Sequence, residues 1–311
     1  MNSVLVTGGA GFIGSNFVRA LGVQFPESHV VVVDDFRSGD FRNLQGFKGD
    51  IVAVDASRLD FNRQFDGVSF DAIFHFASIT DTTVHDQRLQ VHDNVEGFRR
   101  LLDFAVPSQT PVFYASSAAT YGTGRTVMSE GMEPAPANVY AFTKVQLDNL
   151  ARETARKHLA WRVVGLRYFN VYGMNEGHKG AAASMIYQLY KKMKAGERPR
   201  VFVAGEQKRD FVYVEDVVAM TLKCLEAPQS GIYNCGSGRA TSFNEVIAIL
   251  NDSLGTNLET EYFENPYDFY QPHTEADMSL AKAELGFEPR YQPQEGIRDY
   301  VKRLEGAYSV G

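Results

Sequence analysis

The chain has 311 residues, of which 44% are hydrophobic and 22% are charged, a composition typical of a folded globular protein and not of a disordered one. This length suffices for one large domain or for two unequal ones. The formal net charge of −7 argues against a general binder of nucleic acid or of acidic membranes, although a local basic pocket is compatible with it.

Strands and helices alternate through the first half of the chain. Segments rich in Val, Ile and Phe, which we predict to be buried strands, are SVLVTG, HVVVVDD, DIVAVDA, DAIFHFAS, PVFYASS and RVVGLRYFNV. Apolar residues at helical spacing occur between them, in GFIGSNFVRALGVQF, NVEGFRRLLDFAV and VYAFTKVQLDNLARETARKH. This alternation predicts an α/β fold, a doubly wound parallel Rossmann sheet with helices on both faces.

The rhythm changes after Phe169. A loop that contains Lys179 precedes a predicted helix at about residues 182–195, and a terminal helix is predicted near residues 293–305. We therefore predict a smaller, mostly C-terminal α/β substrate domain, formed by about residues 171–207 and 241–311. Residues 1–170 and about 208–240 would form the Rossmann domain.

A glycine motif follows the first predicted strand, in VLVTGGAGFIGSNF. Gly8, Gly11 and Gly14 are three residues apart, between a strand and a helix. Glycines there allow a tight turn and a close approach of the backbone to a pyrophosphate, which then lies at the positive helix N-terminus. Because the second strand also follows in the required order, the segment predicts an NAD(P) site.

Charged residues at the end of the second strand leave the choice of nicotinamide cofactor open. Asp34 lies 20 residues after Gly14, where a carboxylate can bind the adenosine ribose, and it favours NAD by repelling a 2′-phosphate. Arg37 and Arg42 follow closely and could bind that phosphate instead. Asp55, after the third strand, either reaches the adenine amine or is an ordinary aspartate at a strand end.

A hydroxyl-bearing strand end and a YxxxK pair indicate redox chemistry on an alcohol. Ser116 and Ser117 end the strand PVFYASS, and Tyr140 and Lys144 are four residues apart, on one face of a predicted helix. Lys144 would anchor the nicotinamide ribose and, together with the oxidised nicotinamide, lower the pKa of Tyr140. A serine near the phenol would hold the substrate hydroxyl.

These motifs together resemble the extended short-chain dehydrogenase/reductase family, which includes nucleotide-sugar epimerases, dehydratases and decarboxylases. The resemblance covers essentially the whole chain, through TGGAGFIG, HFAS at 75–78, SSAATYG, YxxxK, RYFNVYG at 167–173 and RDFVYVED at 209–216. It implies that Ser117 is the catalytic Ser/Thr and that Tyr140 is the general base. It also implies cofactor contacts from Phe12, Ile13, Asp35, Phe76, Ala77, Ser78, Asn94 and Val171. The resemblance implies a tightly bound NADP or NAD and slightly favours NADP, whereas Asp34 favours NAD.

The segment GMNEGHKGAAAS at 173–184 resembles the branch of the family that acts on ADP-heptose. In that branch the lysine of the segment is a second acid/base opposite the tyrosine, a role that maps onto Lys179; the alternative is that Lys179 only binds a diphosphate. The resemblance implies substrate contacts from Ser116, Asn170, Lys179, Ala181, Gln188, Arg209 and Tyr270. For Arg209, a surface ion pair with Asp210 or Glu215 is the alternative. The alternatives for the chain are another nucleotide-sugar epimerase, such as a UDP-hexose 4-epimerase, and a non-catalytic NAD(P)-binding protein.

Other expectations concern surroundings and assembly. Cys224 and Cys235 form no disulfide framework and no CxxC motif, and no cluster of ligands predicts a metal site. The N-terminal MNSVLVTGG runs directly into a strand, and no apolar run approaches the roughly 20 residues of a membrane span. We therefore expect a cytoplasmic protein with no nucleic-acid or membrane partner. The family resemblance implies a homo-oligomer.

Overall fold

The computed structural model describes residues 1–80, 86–265 and 271–308. The strands, in chain order, are β1 (Ser3–Thr7), β2 (His29–Val33), β3 (Asp50–Val52), β4 (Ala72–His75), β5 (Val112–Ser117), β6 (Val127–Met128), β7 (Val163–Tyr168), β8 (Asn170–Tyr172), β9 (Arg200–Phe202), β10 (Lys208–Tyr213), β11 (Gly231–Cys235), β12 (Ala240–Ser242), β13 (Glu261–Phe263) and β14 (Glu275–Ala276). The α-helices are α1 (Phe12–Gln24), α2 (Phe61–Gln64), α3 (Gln87–Val91), α4 (Gly97–Ala105), α5 (Val139–Lys157), α6 (Met185–Lys194), α7 (Val214–Lys223), α8 (Phe243–Leu254) and α9 (Pro293–Tyr308).

A seven-stranded sheet in the order β11-β7-β5-β4-β1-β2-β3 forms the centre of the molecule. Every neighbouring pair in it is parallel. The predicted α/β fold with a doubly wound parallel Rossmann sheet is therefore confirmed. The strand order reverses between β1 and β4, and ligands bind at such a point, beyond the carboxyl ends of the strands.

Side chains of this sheet alternate between two apolar layers. Val4 and Val6 of β1 pack in the layer that contains Phe17 of α1. Leu5, between them, packs in the opposite layer, with Phe98 of α4. This alternation buries both faces of the sheet and makes its strands near-continuous apolar runs, which is why they are recognisable in the sequence.

A second sheet and a third apolar cluster lie in the later part of the chain. Strand β10 pairs in parallel with β8 and antiparallel with β12. The apolar cluster beside them takes residues from α6, α8 and α9, and strands β9 and β13 form a separate pair. The smaller α/β unit is thus present. Its bounds stay a prediction. Strand β10 pairs within the second sheet, whereas the next helix, α7, packs on α1 of the Rossmann part.

Two strands differ from their sequence-based descriptions. RVVGLRYFNV is split, since β7 lies in the seven-stranded sheet and β8 in the three-stranded one. Phe169 at the break donates its backbone N–H to the Cys235 carbonyl at 3.0 Å. The prediction that DIVAVDA is buried is wrong for its strand: β3 is the edge of the sheet, and Ile51 is 47% exposed.

Candidate active site

The glycine turn after β1 forms a backbone cradle. Gly8 has φ +73°, and a Cβ on it would lie 2.5 Å from the backbone nitrogen of Ala77, at the end of β4. A Cβ on Gly14 would lie 2.1 Å from the carbonyl oxygen of Gly8. Gly11 precedes α1 and offers no side-chain cap, so the predicted contact residues Phe12, Ile13 and Gly14 present first-turn N–H groups. This arrangement fits a bound diphosphate.

Asp34 at the end of β2 is buried and closes the same turn. Its carboxylate accepts hydrogen bonds from the backbone N–H of Ala10 at 2.8 Å and of Phe36 at 2.9 Å. Burial raises the pKa of this carboxyl, and the two backbone hydrogen bonds oppose that rise. Asp34 therefore holds the glycine turn, and its contact with the ribose stays a prediction.

The two arginines that could bind a 2′-phosphate are both paired with carboxylates. The Arg37 guanidinium lies 2.8 Å from Asp35, 3.2 Å from Asp55 and 2.7 Å from Asp93. Arg42 lies 2.5 Å from Asp40, whose pKa it holds down at about 2. No sequence motif distinguishes Asp93, which belongs to a π-helical turn between α3 and α4.

Asn94, in the same π-helical turn, is occupied by protein groups. Its side-chain oxygen accepts the N–H of Ile79 at 2.7 Å, and its amide donates to the Ile79 carbonyl at 3.1 Å and to Thr143 Oγ1 at 3.0 Å. Asn94 thus joins the segment after β4, which carries the predicted contacts Phe76, Ala77 and Ser78, to helix α5. In the described part of the chain, the buried Ser78 hydroxyl has no hydrogen-bond partner, so it offers a polar group to a ligand.

The predicted catalytic groups of β5 and α5 come together. Ser117 hydrogen-bonds the Tyr140 phenol, and the Lys144 amine lies 5.7 Å from the centre of the Tyr140 ring. The amine also donates to the Ala115 carbonyl at 2.8 Å. Ser116 is buried, and its hydroxyl has no partner among the described residues.

Burial acts on both groups of the YxxxK pair. It raises the pKa of Tyr140, and the Ser117 hydrogen bond offsets the rise only in part. It also lowers the pKa of Lys144 to about 7, against the opposing charge of Asp148. The protein's own groups therefore raise the pKa of Tyr140, whereas the sequence predicted a lower pKa. The predicted lowering depends on the charge of the cofactor.

Lys179 lies beside the glycine turn, in a 3-10 helix formed by Gly177–Ala182. Its amine is 5.5 Å from the centre of the Phe12 ring, at the first residue of α1. Burial lowers the pKa of this amine, and the nearby Glu176 raises it. His178 hydrogen-bonds Asn43, in the 3-10 helix Phe41–Leu44, at 3.2 Å; this is a second contact between the Lys179 segment and the Rossmann part that the sequence did not reveal.

The remaining predicted substrate residues lie on or beside the second sheet. Asn170 is exposed on β8, next to Val171, and Ala181 is exposed beside Lys179. The Gln188 amide donates to the carbonyls of Ala181 at 3.0 Å and Ala183 at 2.8 Å, so it supports the Lys179 segment.

Arg209 and Tyr270 complete the predicted substrate set. Arg209 lies on β10, opposite Thr241 of β12. Its proposed surface partners have other contacts: Asp210 accepts hydrogen bonds from Ser237, Gly238 and Ala276, and Glu215 pairs with Arg303. Tyr270 lies outside the described residues.

Membrane-spanning helices and metal clusters are both absent from the described residues. None of their helices is long and apolar enough to cross a membrane. No group of three or more His, Cys, Asp or Glu side chains in residues 1–80, 86–265 and 271–308 is arranged to hold a metal ion. Cys224 and Cys235 are both buried and unpaired.

Comparison with known proteins gives consistent matches. Residues 4–236 match the model of the NAD dependent epimerase/dehydratase family. The structure is similar to that of ADP-L-glycero-D-manno-heptose-6-epimerase from Helicobacter pylori, with 38% identity, a TM-score of 0.91, and coverage of 98% of this chain and 96% of that one.

Two UDP-glucose 4-epimerase structures are also similar. The Thermotoga maritima enzyme with UDP-glucose has 27% identity and a TM-score of 0.90, and the match covers 98% of this chain and 99% of that one. The Thermus thermophilus enzyme in complex with NAD has 26% identity and a TM-score of 0.85, with the same two coverages.

Proposed function

This chain belongs to the NAD dependent epimerase/dehydratase family, and from that premise we propose that it inverts C6″ of ADP-D-glycero-D-manno-heptose to give ADP-L-glycero-D-manno-heptose. It is an enzyme of the nucleotide-sugar epimerase class. The observation that carries the finer proposal is the position of Lys179, whose amine lies beside Phe12 at the cofactor turn, on a different element from Tyr140. The 38% identity to the Helicobacter pylori heptose epimerase supports the choice of sugar.

The site fits a nicotinamide dinucleotide. The glycine cradle at Gly8–Gly14 would hold the diphosphate, and Lys144 would hold the nicotinamide ribose. Since Arg37 is surrounded by three carboxylates and Asp34 precedes it, the electrostatics favour NAD over NADP. When bound, the nicotinamide supplies a hydride acceptor and, later, a hydride donor.

The protein's own groups would handle the protons. Ser117 holds the substrate hydroxyl near the Tyr140 phenol, with which it is hydrogen-bonded. Tyr140 and Lys179 take opposite roles in the two half-reactions, one accepting the alcohol proton and the other returning a proton to the ketone oxygen. Because the two acid/base groups lie on different elements, the ketone oxygen can exchange a proton with one of them in either orientation. Neither group then has to move far.

The test combines product analysis with a lysine variant. We expect ADP-heptose to be epimerised and UDP-galactose to be left unchanged; the reverse result would assign the chain to the UDP-hexose 4-epimerases. In single turnovers, Lys179→Met should slow epimerisation by about 10²–10⁴-fold. Lys192→Met, at an exposed position on α6, is the matched control.

Kinetic constants separate the two roles of Lys179. A raised KM with an unchanged kcat would mean that Lys179 only binds the diphosphate. Epimerisation by Lys179→Met at a near-native rate would exclude Lys179 as the second acid/base.

A further inference from the structure

A buried carboxylate lies at the base of the Lys179 segment. Glu176 is 0% exposed, yet no described cation lies within ion-pairing distance of it. Instead it accepts four hydrogen bonds: from the Gly173 N–H at 3.0 Å, the Ser184 N–H at 2.5 Å, the Ser184 hydroxyl at 3.0 Å and the Tyr300 hydroxyl at 3.0 Å. A buried ionised carboxylate is costly, and several donors are the usual compensation.

These donors come from both ends of the segment and from the C-terminal helix. Gly173 directly follows β8, and Ser184 caps α6 by accepting the Tyr187 N–H at 3.1 Å. Tyr300 lies on α9 and is itself buried. Glu176 therefore joins β8, α6 and α9 at one point.

Lys179, which is partly buried, lies on a turn that begins at Glu176. Its backbone N–H donates to the Glu176 carbonyl at 3.0 Å, which sets the turn that presents the amine. Gly180, with φ +56° and ψ −120°, ends the turn in a conformation that other residues rarely adopt. The segment is thus anchored, and the Lys179 amine has a defined position near Phe12.

We propose that Glu176 is a positioning residue that fixes the location of the Lys179 amine and whose negative charge stabilises the protonated amine, with Tyr300 holding Glu176 in place. This inference rests on the proposed role of Lys179 as an acid/base. Burial raises the pKa of Glu176 itself, and its four hydrogen-bond donors oppose that rise by stabilising the ionised form. Burial also lowers the pKa of Lys179, and the negative charge of ionised Glu176 opposes that lowering.

Other titratable groups around Lys179 differ from Glu176 in charge or in contacts. His178 is adjacent in the chain and lies near Asp34 and Asp40 of the Rossmann part. Tyr187 of α6 lies against Gly177, and Tyr300 of α9 contacts Glu176. In the described part of the chain, no carboxylate is within 4.0 Å of the Lys179 amine, so Glu176 acts on it through space.

The experiment measures the reactivity of Lys179 directly. The purified protein is acylated by a brief pulse of acetic anhydride at a series of pH values, and mass spectrometry of the peptide gives the midpoint for Lys179. In Glu176→Gln, loss of the negative charge should move this midpoint to lower pH and increase Lys179 labelling several-fold at pH 7.5. Glu284→Gln is the remote control: Glu284 also accepts a tyrosine hydroxyl, from Tyr233 at 2.8 Å, but it is exposed and lies beside the edge strand β11.

The outcomes decide the proposal independently of the substrate. An unchanged Lys179 midpoint in folded Glu176→Gln overturns it, even if kcat has fallen, because a purely structural residue would give that result. Labelling needs no epimerisation, so a failure of the proposed ADP-heptose reaction leaves this result interpretable.

Tyr300→Phe provides a milder variant in case Glu176→Gln does not fold. It keeps the carboxylate and removes one donor, so kcat should fall about 10- to 100-fold through misplacement of Lys179, with little change in KM. Wild-type labelling together with wild-type kcat in Tyr300→Phe overturns the proposal.

Discussion

Gly14→Ala tests whether the glycine turn is the cofactor cradle. Its Cβ would lie 2.1 Å from the carbonyl oxygen of Gly8 and 2.9 Å from the carbonyl carbon. Both are backbone atoms that cannot rotate away, so the start of α1 and the turn must separate by more than about 1 Å to reach an ordinary contact. That displacement would misplace the first-turn N–H groups relative to a bound diphosphate.

The expected loss follows from these hydrogen bonds. One hydrogen bond to a charged group is worth about 1.5–3 kcal/mol, so losing one weakens cofactor binding by about 10- to 100-fold. Overpacking of this kind also costs about 1–3 kcal/mol of stability. The assay is a fluorescence titration with NADH, accompanied by urea unfolding.

Gly22→Ala is the control on the same helix. A Cβ there would meet nothing within 4 Å, and the position is exposed. This variant should bind NADH normally and gain about 0.4–1 kcal/mol in the free energy of unfolding. If Gly14→Ala binds NADH within about twofold of the wild type, the turn does not form the diphosphate site.

Three further predictions concern stability and cofactor choice. Burial lowers the pKa of His75 to about 3, so the unfolded chain takes up a proton below pH 6.5 that the folded chain does not, and stability is lost as pH falls from 6.5 toward 3. From pH 7 to pH 5 the unfolding free energy, measured in urea, should therefore fall by about 2 kcal/mol more in the wild type than in His75→Asn. Equal falls in the two proteins would contradict this prediction. Asp148→Ala should lower the unfolding free energy by about 3–5 kcal/mol, because it leaves the Arg167 guanidinium, fully buried and 2.8 Å away, without its counter-ion; a loss below about 1 kcal/mol would refute this. Denaturation of the purified protein should release NAD, as seen by mass spectrometry, and release of NADP would show that the carboxylates around Arg37 do not exclude a 2′-phosphate.

The central sheet and its first turn could be predicted because their signals are local. Glycine spacing specifies a backbone turn, and a strand buried on both faces is a continuous apolar run whatever its neighbours are. The same continuity concealed the split at Phe169, since apolar residues suit either sheet equally. It also concealed the exposure of Ile51, because strand order, and hence which strand is the edge, depends on distant pairing.

The supporting residues of the site could not be predicted for a related reason. In the sequence, Glu176 is a single carboxylate in a predicted loop. One of its hydrogen-bond donors, Tyr300, is 124 positions away. The side-chain amides of Asn94 and Gln188 hydrogen-bond protein backbone, a role that the sequence did not reveal, and their ligand contacts stay predictions. A polar side chain next to a catalytic group serves either purpose, and only the three-dimensional hydrogen bonds distinguish them.

Burial shifts the pKa values of the two proposed acid/base groups in opposite directions. It raises the pKa of the Tyr140 phenol and lowers the pKa of the Lys179 amine, so both groups move toward their neutral forms. A neutral phenol carries a proton that it can give, and a neutral amine can accept one, which is the pairing that opposed half-reactions require. Because Glu176 opposes the shift of Lys179, it sets how far the amine moves toward the base form. A neutral isostere at position 176 therefore tests the balance between the two groups, whereas removal of Lys179 tests only its presence.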